Sequence, residues 1–282
     1  MERTVTGLLE DGSSANFSDK FRTGNIVHIP DGAELIATGD IHGHKRNFKR
    51  IVSYADLENH PDRHLLLQEI IHGGPEDAYG GCLSYKLLFE AVELKVKFPD
   101  RVHFCLSNHD TVFITDGMVI KNGKEMNTAL KSAIDREFQC NSADVKKAMA
   151  KFFLSEPLAV KCPNRIWLSH SLPADKFVES FDINIFQKNL TIEDTAKPRS
   201  AYLLTWGRHH SQQTLDAMAK LLDADIFILG HQRQETGFSQ QGNNLIVIAS
   251  DHNHGCLLPI KVSQPYNIEQ LIGSIVPLSS IA

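Results

Sequence analysis

The sequence predicts an α/β fold in a single domain. Short apolar segments alternate with segments in which apolar residues recur at helical spacing, and this alternation is typical of parallel strands covered by helices. The apolar segments repeatedly end in Asp, Glu, Asn or His, as expected at the carboxyl ends of strands, where open α/β sheets place their sites. With 282 residues, the chain is long enough to bury one large core.

The first half of the chain contains three predicted strands with helices between them. Residues 1–32 are polar and are expected to form an edge strand or an N-terminal arm. The predicted strands are the apolar runs 33–38, 64–71 and 101–106. The predicted helices are one from about residue 47 and one over 83–96, because their apolar residues recur every three to four positions.

The second half of the chain is predicted to contain further helices and strands, together with an irregular region. Two helices are expected over 124–154, and a third, capped helix over 211–222. Pro163-Asn164 indicates a hairpin between two short apolar runs. The predicted strands are 158–162, 165–168, 226–229, 245–248 and 257–262. Residues 174–205 are mixed in character and are expected to cover a site.

Composition excludes several classes of protein. A formal charge of −5 without a Lys/Arg run argues against a dedicated nucleic-acid binder. The first 19 residues lack the apolar core of a secretory signal, and no stretch is long and apolar enough for a membrane span. The five cysteines are odd in number and form no CxxC pair, which indicates reduced thiols. We therefore expect a cytoplasmic protein.

Potential metal ligands follow five predicted strands in order. They are Asp40 and His42, Glu69, Asn108 with His109, His170, and His231. Scattered core histidines would not all be expected at the same end of successive strands. The sequence therefore predicts a metal site at this end of the sheet, and its mixed nitrogen and oxygen ligands suit Mn, Fe or Zn better than Ca or Mg.

The ordered set resembles the calcineurin-like metallophosphoesterases, and within them the phosphoprotein-phosphatase type. The resemblance is carried by Gly39-Asp40-Ile41-His42-Gly43, Gln68-Glu69, Ser107-Asn108-His109-Asp110, Ser169-His170 and Gly230-His231-Gln232. It implies a β-sandwich of mixed sheets flanked by helices. The domain would span 33–265, with helical or irregular cover at about 111–155 and 174–205. Residues 266–282 would be a C-terminal tail packed on it.

The resemblance also implies the roles of the motif residues. A first metal ion would be held by Asp40, His42 and Glu69. A second would be held by Glu69, Asn108, His170 and His231, with Glu69 bridging. A hydroxide between the two ions would attack a phosphomonoester, such as phosphoserine or phosphothreonine in a phosphorylated protein, and His109 would protonate the leaving oxygen.

The second motif departs from the family pattern Gly-Asp-x-x-Asp-Arg-Gly. The second Asp becomes His72 and the phosphate-binding Arg becomes Gly73. Asp110, Asp77 or a different group could then orient His109.

Other residues are candidates for binding the phosphate and the substrate. Candidates for the missing cation are Arg208 and, beside the first motif, Lys45 or Arg46. His72 and His252 could contact the substrate, together with Asn108.

Two alternatives stay open at this point. The same superfamily includes phosphoanhydride hydrolases that act on dinucleoside polyphosphates or related small nucleotides, and the missing Arg keeps this activity possible. The altered segment 69–74 also allows a catalytically weak, metal-binding scaffold of the same fold. The sequence leaves the natural substrate, the metal and the oligomeric state open.

Overall fold

Two mixed β-sheets form the centre of the molecule, as seen in a computed structural model that describes residues 3–121 and 123–282. The strands are β1 (Arg22–Thr23), β2 (Ile26–His28), β3 (Glu34–Asp40), β4 (Arg63–Gln68), β5 (Val102–Cys105), β6 (Ile120–Lys121), β7 (Lys124–Glu125), β8 (Ala159–Lys161), β9 (Ile166–Ser169), β10 (Ile226–Leu229), β11 (Phe238–Gln241), β12 (Leu245–Ile248), β13 (Cys256–Lys261) and β14 (Val276–Pro277). One sheet has the order β1-β2-β8-β9-β10-β12-β11 and the other β14-β13-β3-β4-β5. Strands β6 and β7 form a separate hairpin.

Helices surround the sheets. They are α1 (Val5–Phe17), α2 (Lys45–Ala55), α3 (Ser84–Lys97), α4 (Asn108–Ile114), α5 (Met126–Phe138), α6 (Ser142–Ser155), α7 (Ser200–Trp206), α8 (Gln212–Leu222) and α9 (Ile268–Gly273). None of the helices in the described ranges is long and apolar enough to span a membrane.

The two sheets share one apolar core, and their other faces pack against the helices. In β3, Leu35 and Ala37 belong to the core between the sheets, whereas Ile36 belongs to the core under the helices. In β4, Leu66 faces inward while Leu65 and Leu67 face the helices. Because both faces of these strands are buried, their sequences are continuous apolar runs. The expected α/β sandwich of mixed sheets flanked by helices is confirmed.

Helix α1 was not predicted, because residues 1–32 were expected to form an edge strand or an N-terminal arm. The helix contains Gly7, Gly12 and two serines, which are poor helix formers. Leu8 and Leu9 are buried, and the helix packs against α3 and α6. Tertiary packing therefore supports a helix that local propensity does not indicate. After it, β1 forms the edge of the larger sheet.

The remaining cover and tail are ordered along most of their length. The region 174–205 contains the 3-10 helices Asp175–Ser180, Ile183–Gln187 and Ile192–Thr195, followed by α7. At the C-terminus, β14 pairs antiparallel with β13. The boundaries of the domain and its tail remain predictions.

Parallel pairing brings the predicted ligand turns to one end of the molecule. Strands β3, β4 and β5 are parallel, as are β9 and β10. The two sheets meet at this end, where the Ser250 N–H donates to the Asp40 carbonyl at 3.0 Å. The carboxyl ends of five strands therefore surround one space.

Candidate metal centre

Several site residues have a backbone conformation that side-chain-bearing residues rarely adopt. The φ angles are 44° at His42, 45° at Glu69, 64° at His72 and 67° at His231. Positive φ is uncommon for residues other than glycine, and such outliers cluster at functional sites. Here the unusual backbone angles occur where the chain turns just after a strand. His42, Glu69 and His231 each follow a strand end by one or two residues.

The first group of ligands consists of Asp40, His42 and Glu69. Nδ1 of His42 donates a hydrogen bond to the Ile71 carbonyl at 3.0 Å, which leaves Nε2 without a proton in the neutral ring. That Nε2 lies 3.1 Å from Glu69 Oε2 and 4.0 Å from Asp40 Oδ2. His42 thus presents a ligand atom close to both carboxylates.

The second group consists of Asn108, His170 and His231, and it also includes Glu69. Asn108 Oδ1 lies 2.8 Å from His170 Nε2 and 2.7 Å from His231 Nδ1. His170 Nε2 is 3.4 Å from Glu69 Oε1. Glu69 therefore contributes one carboxylate oxygen to each group.

Gln68 orients His170, a role that sequence reasoning missed. The Gln68 amide nitrogen donates to the Thr38 carbonyl at 2.9 Å, so its oxygen accepts from His170 Nδ1 at 3.3 Å. With the proton on Nδ1, the neutral His170 ring presents a bare Nε2 to the oxygens of Asn108 and Glu69. A hydrogen bond from the ring nitrogen that does not face the metal fixes the tautomer of a metal-binding histidine.

The donor set fits a pair of metal ions. The bare His170 Nε2 faces two oxygen acceptors, an arrangement that a cation between them would satisfy. Two groups, His42 with Glu69 and His109, and Asp40 with Glu69 and His170, each bring three ligand atoms within 4.8 Å of one another. Burial and the neighbouring Glu69 carboxylate raise the pKa of Asp40 to about 7, as expected for buried acids without a cation.

His109 is held by His72 rather than by a carboxylate. The Nδ1 atoms of the two rings are 2.9 Å apart, and His109 Nε2 lies 3.9 Å from Glu69 Oε1. Burial, followed by the positive charge at His42, lowers the pKa of His72 to about 3. His72 is fully buried behind His109 and does not line the cavity in the described structure, so a contact with the substrate remains a prediction.

The carboxylates expected beside His109 lie elsewhere. Asp110 accepts hydrogen bonds from the backbone N–H and the hydroxyl of Ser107 and so caps α4. Asp77 accepts from Arg136 and from the backbone N–H of Gly81. Neither carboxylate contacts His109 within the described residues, where the ring is held by His72 instead.

Close backbone packing accounts for glycine at position 73, where the family pattern has Arg. A Cβ atom added to Gly73 would lie 2.3 Å from the carbonyl oxygen of His42. Gly43 and Gly74 are in similarly close contact, since a Cβ on Gly74 would lie 2.3 Å from the Gly43 carbonyl. The turns that carry His42 and His72 thus pack backbone against backbone, and this packing leaves no room for a side chain at position 73.

A cavity of about 920 Å³ opens over both groups of ligands. Arg208, Arg233, Lys121 and Lys124 contribute its positive charge, whereas Lys45 and Arg46 do not line it in the described structure. The sequence indicated Arg208 alone of these four. Lys121 and Lys124 occur in a segment without a ligand motif, and Arg233 was missed although it follows His231 by two residues.

His252 lies at the edge of the same cavity. Its Nε2 hydrogen-bonds the Gln234 carbonyl at 2.6 Å. The Asn47 amide donates to the carbonyls of Ser250 and His252, each at 2.8 Å, and so fixes this loop to α2.

Comparison with known proteins gives the class of the molecule. The family model described as calcineurin-like phosphoesterase matches residues 34–235. The chain therefore belongs to this family, and the resemblance found in its motifs is confirmed. No curated protein sequence matches the chain.

Solved structures share the fold at low sequence identity. A protein serine/threonine phosphatase from Saccharomyces cerevisiae is 15% identical, with a TM-score of 0.63 over 91% of this chain and 81% of that chain. A cold-active protein-tyrosine phosphatase from a psychrophilic Shewanella species is 13% identical, with a TM-score of 0.59 over 86% of this chain and 78% of that chain. At these identities the likeness concerns the fold.

Proposed function

We propose that the protein hydrolyses phosphomonoesters with two divalent metal ions. The observation that carries this proposal is the position of Glu69, whose Oε2 lies 3.1 Å from His42 Nε2 and whose Oε1 lies 3.4 Å from His170 Nε2. A carboxylate with one oxygen in each ligand group is suited to join two ions. Mn, Fe or Zn would suit the donors.

Each ion would be held by side chains from different strand ends. Asp40, His42 and Glu69 would hold the first. The second would be held by Glu69, Asn108, His170 and His231. Ions bound in this way supply Lewis-acid activation of the phosphate and of water at neutral pH.

Two other side chains are proposed to act on the substrate directly. His109 lies beside Asn108, and its Nε2 is close to the ligands, so it can donate a proton to the leaving oxygen. Arg208 lines the cavity and is exposed, so its guanidinium can bind the phosphate in place of the Arg that Gly73 excludes.

The test is turnover of p-nitrophenyl phosphate by purified protein that has been stripped of metal and reloaded with Mn²⁺. Loss of a metal ligand removes several kcal/mol of charge stabilisation, so Asp40→Asn and His231→Ala should each lower kcat/KM by about 10³. Asp216→Asn and His60→Ala, which change exposed side chains of the same types, should retain the wild-type rate. Wild-type rates in Asp40→Asn and His231→Ala would refute the proposal.

The same preparation separates the proposal from its two alternatives. A phosphoanhydride hydrolase would cleave diadenosine tetraphosphate faster than any phosphomonoester. A metal-binding scaffold would bind Mn²⁺ and turn over no phosphoester in a broad panel.

A further inference from the structure

Trp206 forms part of the wall of the cavity and lies close in sequence to Arg208. It is the last residue of α7, and Arg208 follows it by two positions. Its indole ring stacks on Tyr202, with the ring centroids 5.6 Å apart and the ring planes inclined by 15°. Residues four positions apart share one face of a helix, so α7 itself supplies this support. One face of the indole is therefore covered by the protein.

The indole N–H of Trp206 is bonded to the helix that begins with a proposed metal ligand. Nε1 donates to Thr111 Oγ1 at 3.2 Å, and the Thr111 hydroxyl donates to the Asn108 carbonyl at 2.7 Å. Both bonds can form together because a hydroxyl accepts one hydrogen bond while it donates another. Asn108 and His109 are the first two residues of α4, and Thr111 is buried. Trp206 is thus joined through one side chain to the helical turn that carries both.

The ring of Trp206 also packs against a second proposed ligand of the same ion. Its centroid lies 6.2 Å from that of His231, and the two planes are inclined by 73°. The charge distribution of aromatic rings favours this edge-to-face arrangement. The His231 ring also lies against His170, with the centroids 5.1 Å apart. Trp206 and His170 therefore restrict the orientation of the His231 ring.

The backbone on both sides of Arg208 is fixed to the segment that follows β9. The Ser171 hydroxyl donates to the Gly207 carbonyl at 2.5 Å. A Cβ atom added to Gly207 would lie 1.7 Å from the Leu172 carbonyl oxygen, so the two segments are in close contact at this point. After Arg208, the His210 ring donates from Nε2 to the same Leu172 carbonyl at 3.0 Å. The exposed Arg208 side chain therefore extends from an anchored backbone.

These contacts favour a supporting role for Trp206 over direct binding of a ligand. Tyr202 covers one face of the indole, and Thr111 accepts from its only hydrogen-bond donor. The side chain therefore connects two parts of the site, which are the helical turn that carries Asn108 and the segment that carries Arg208.

We infer that Trp206 is a positioning residue, which fixes Arg208 relative to the second metal position through its hydrogen bond to Thr111. This inference rests on the proposed function, in which Asn108 and His231 help to hold the second ion and Arg208 binds the phosphate. Without the bond, α4 and the Arg208 segment would lose one of the contacts between them. The guanidinium would then spend less time where it can bind phosphate, and phosphate binding would weaken.

The hydrogen bond is tested by NMR of the two indole N–H groups of the ¹⁵N-labelled protein. Thr111→Val should shift the Trp206 signal and speed its hydrogen exchange with solvent. Trp167, whose indole is bonded to another buried hydroxyl, should keep its signal. Thr195→Val is the matched control, because this buried hydroxyl also donates to a carbonyl three residues earlier and lies outside the cavity. An unchanged Trp206 signal in Thr111→Val would overturn the inference.

The consequence for Arg208 is tested by calorimetric titration of Mn²⁺-loaded protein with inorganic phosphate. Losing one hydrogen bond should weaken phosphate binding by up to about tenfold in Trp206→Phe and in Thr111→Val. Because both variants break the same bond, the double variant should lose no more affinity than either single variant. Tyr85→Phe, which removes the donor of another aromatic side chain to Glu137 outside the cavity, should keep the wild-type affinity.

The variant Arg208→Gln decides whether Trp206 acts through the guanidinium. In this background, Trp206→Phe should cause no further loss of phosphate affinity. The full loss in that background, wild-type affinity in both Trp206→Phe and Thr111→Val, or a wild-type protein that binds no phosphate would overturn the inference. If the wild type bound phosphate but did not hydrolyse p-nitrophenyl phosphate, the proposed function would fail, and the phosphate affinities would still decide the role of Trp206.

Discussion

Two buried clusters of carboxylates and histidines lie at opposite ends of the smaller sheet. The candidate metal centre, whose occupation by metal ions is proposed above, lies at the carboxyl ends of β3, β4 and β5. The second cluster, which we call the amino-end cluster, consists of Asp19, His64, Lys95 and His103. His64 is the second residue of β4 and His103 the second of β5. Similar residue types are thus buried at both ends of the same strands.

The side chains of the amino-end cluster are hydrogen-bonded to one another. Asp19 Oδ2 accepts from His103 Nδ1 at 3.0 Å and from Lys95 Nζ at 3.3 Å. With that tautomer, His103 Nε2 accepts from His64 Nδ1 at 2.9 Å. None of the buried side-chain atoms that lack a hydrogen-bond partner in the described structure belongs to this cluster, and its carboxylate has a cationic partner in Lys95.

The metal centre does not satisfy itself in this way. His170 Nε2 faces the oxygens of Asn108 and Glu69, and the buried Nε2 of His231 has no hydrogen-bond partner in the described structure. The difference shows that buried histidines and carboxylates do not by themselves indicate a metal site. The distinguishing feature is that acceptor atoms converge without the protons that would pair them.

The largest expected effect on stability concerns the amino-end cluster. Asp19→Asn removes the charge that pairs with Lys95, and breaking a buried ion pair typically costs about 3–5 kcal/mol. We therefore expect the free energy of unfolding in urea to fall by that amount, while Mn²⁺ binding by the folded protein stays unchanged. A variant that kept its stability, or lost its metal, would show that the two clusters do not have separate roles.

A smaller effect is expected from removing His72, the neutral histidine that orients His109. His72→Ala removes the 2.9 Å contact between the two rings. Losing the partner that orients a site residue typically costs about 10- to 100-fold, so kcat for p-nitrophenyl phosphate should fall by that factor with little change in KM. ¹⁵N NMR of the His109 ring should show a shifted tautomer balance. An unchanged kcat and an unchanged spectrum would contradict the positioning role of His72.

The smallest effect is a pH dependence of stability from His64. Burial, and next the charge of His103, lowers the His64 pKa from 6.5 to about 3. Between these values the unfolded chain binds a proton that the folded chain does not, so stability falls as the pH falls from 6.5 toward 3. The contribution is about 1.4 kcal/mol per pH unit. Urea unfolding at pH 7 and pH 5 should show this slope reduced in His64→Gln and unchanged in His60→Gln, whose side chain is exposed. Equal slopes in wild type and His64→Gln would be inconsistent with a buried neutral ring.

The sequence predicted the sheets and the ligand turns because both depend on local pattern. Apolar runs ending in Asp, His or Asn identify strand ends, and parallel pairing then brings those ends together. Helix α1 was missed because its sequence is weakly helical and its stability comes from packing on distant helices.

The side chains that hydrogen-bond the proposed ligands could not be predicted from the sequence, because they come from segments far apart in the chain. The bond from His170 to Gln68 joins residues 102 positions apart, and the pair formed by His72 and His109 spans 37 positions. The place of Asp110 in the motif suggested a group that could orient His109, yet the same Ser-x-x-Asp spacing also forms a helix cap. The absence of Arg at position 73 follows from the close approach of the His42 carbonyl oxygen to Gly73, a contact that the sequence does not reveal.

Glu69 is proposed to belong to two metal positions at once. Equilibrium dialysis against Mn²⁺, followed by mass spectrometric metal analysis, measures it directly. We expect two ions per wild-type chain, two per chain in Asp19→Asn, and loss of affinity at both positions in Glu69→Gln. A Glu69→Gln variant that lost one ion and bound the other with wild-type affinity would show that Glu69 serves a single position and would contradict the claim.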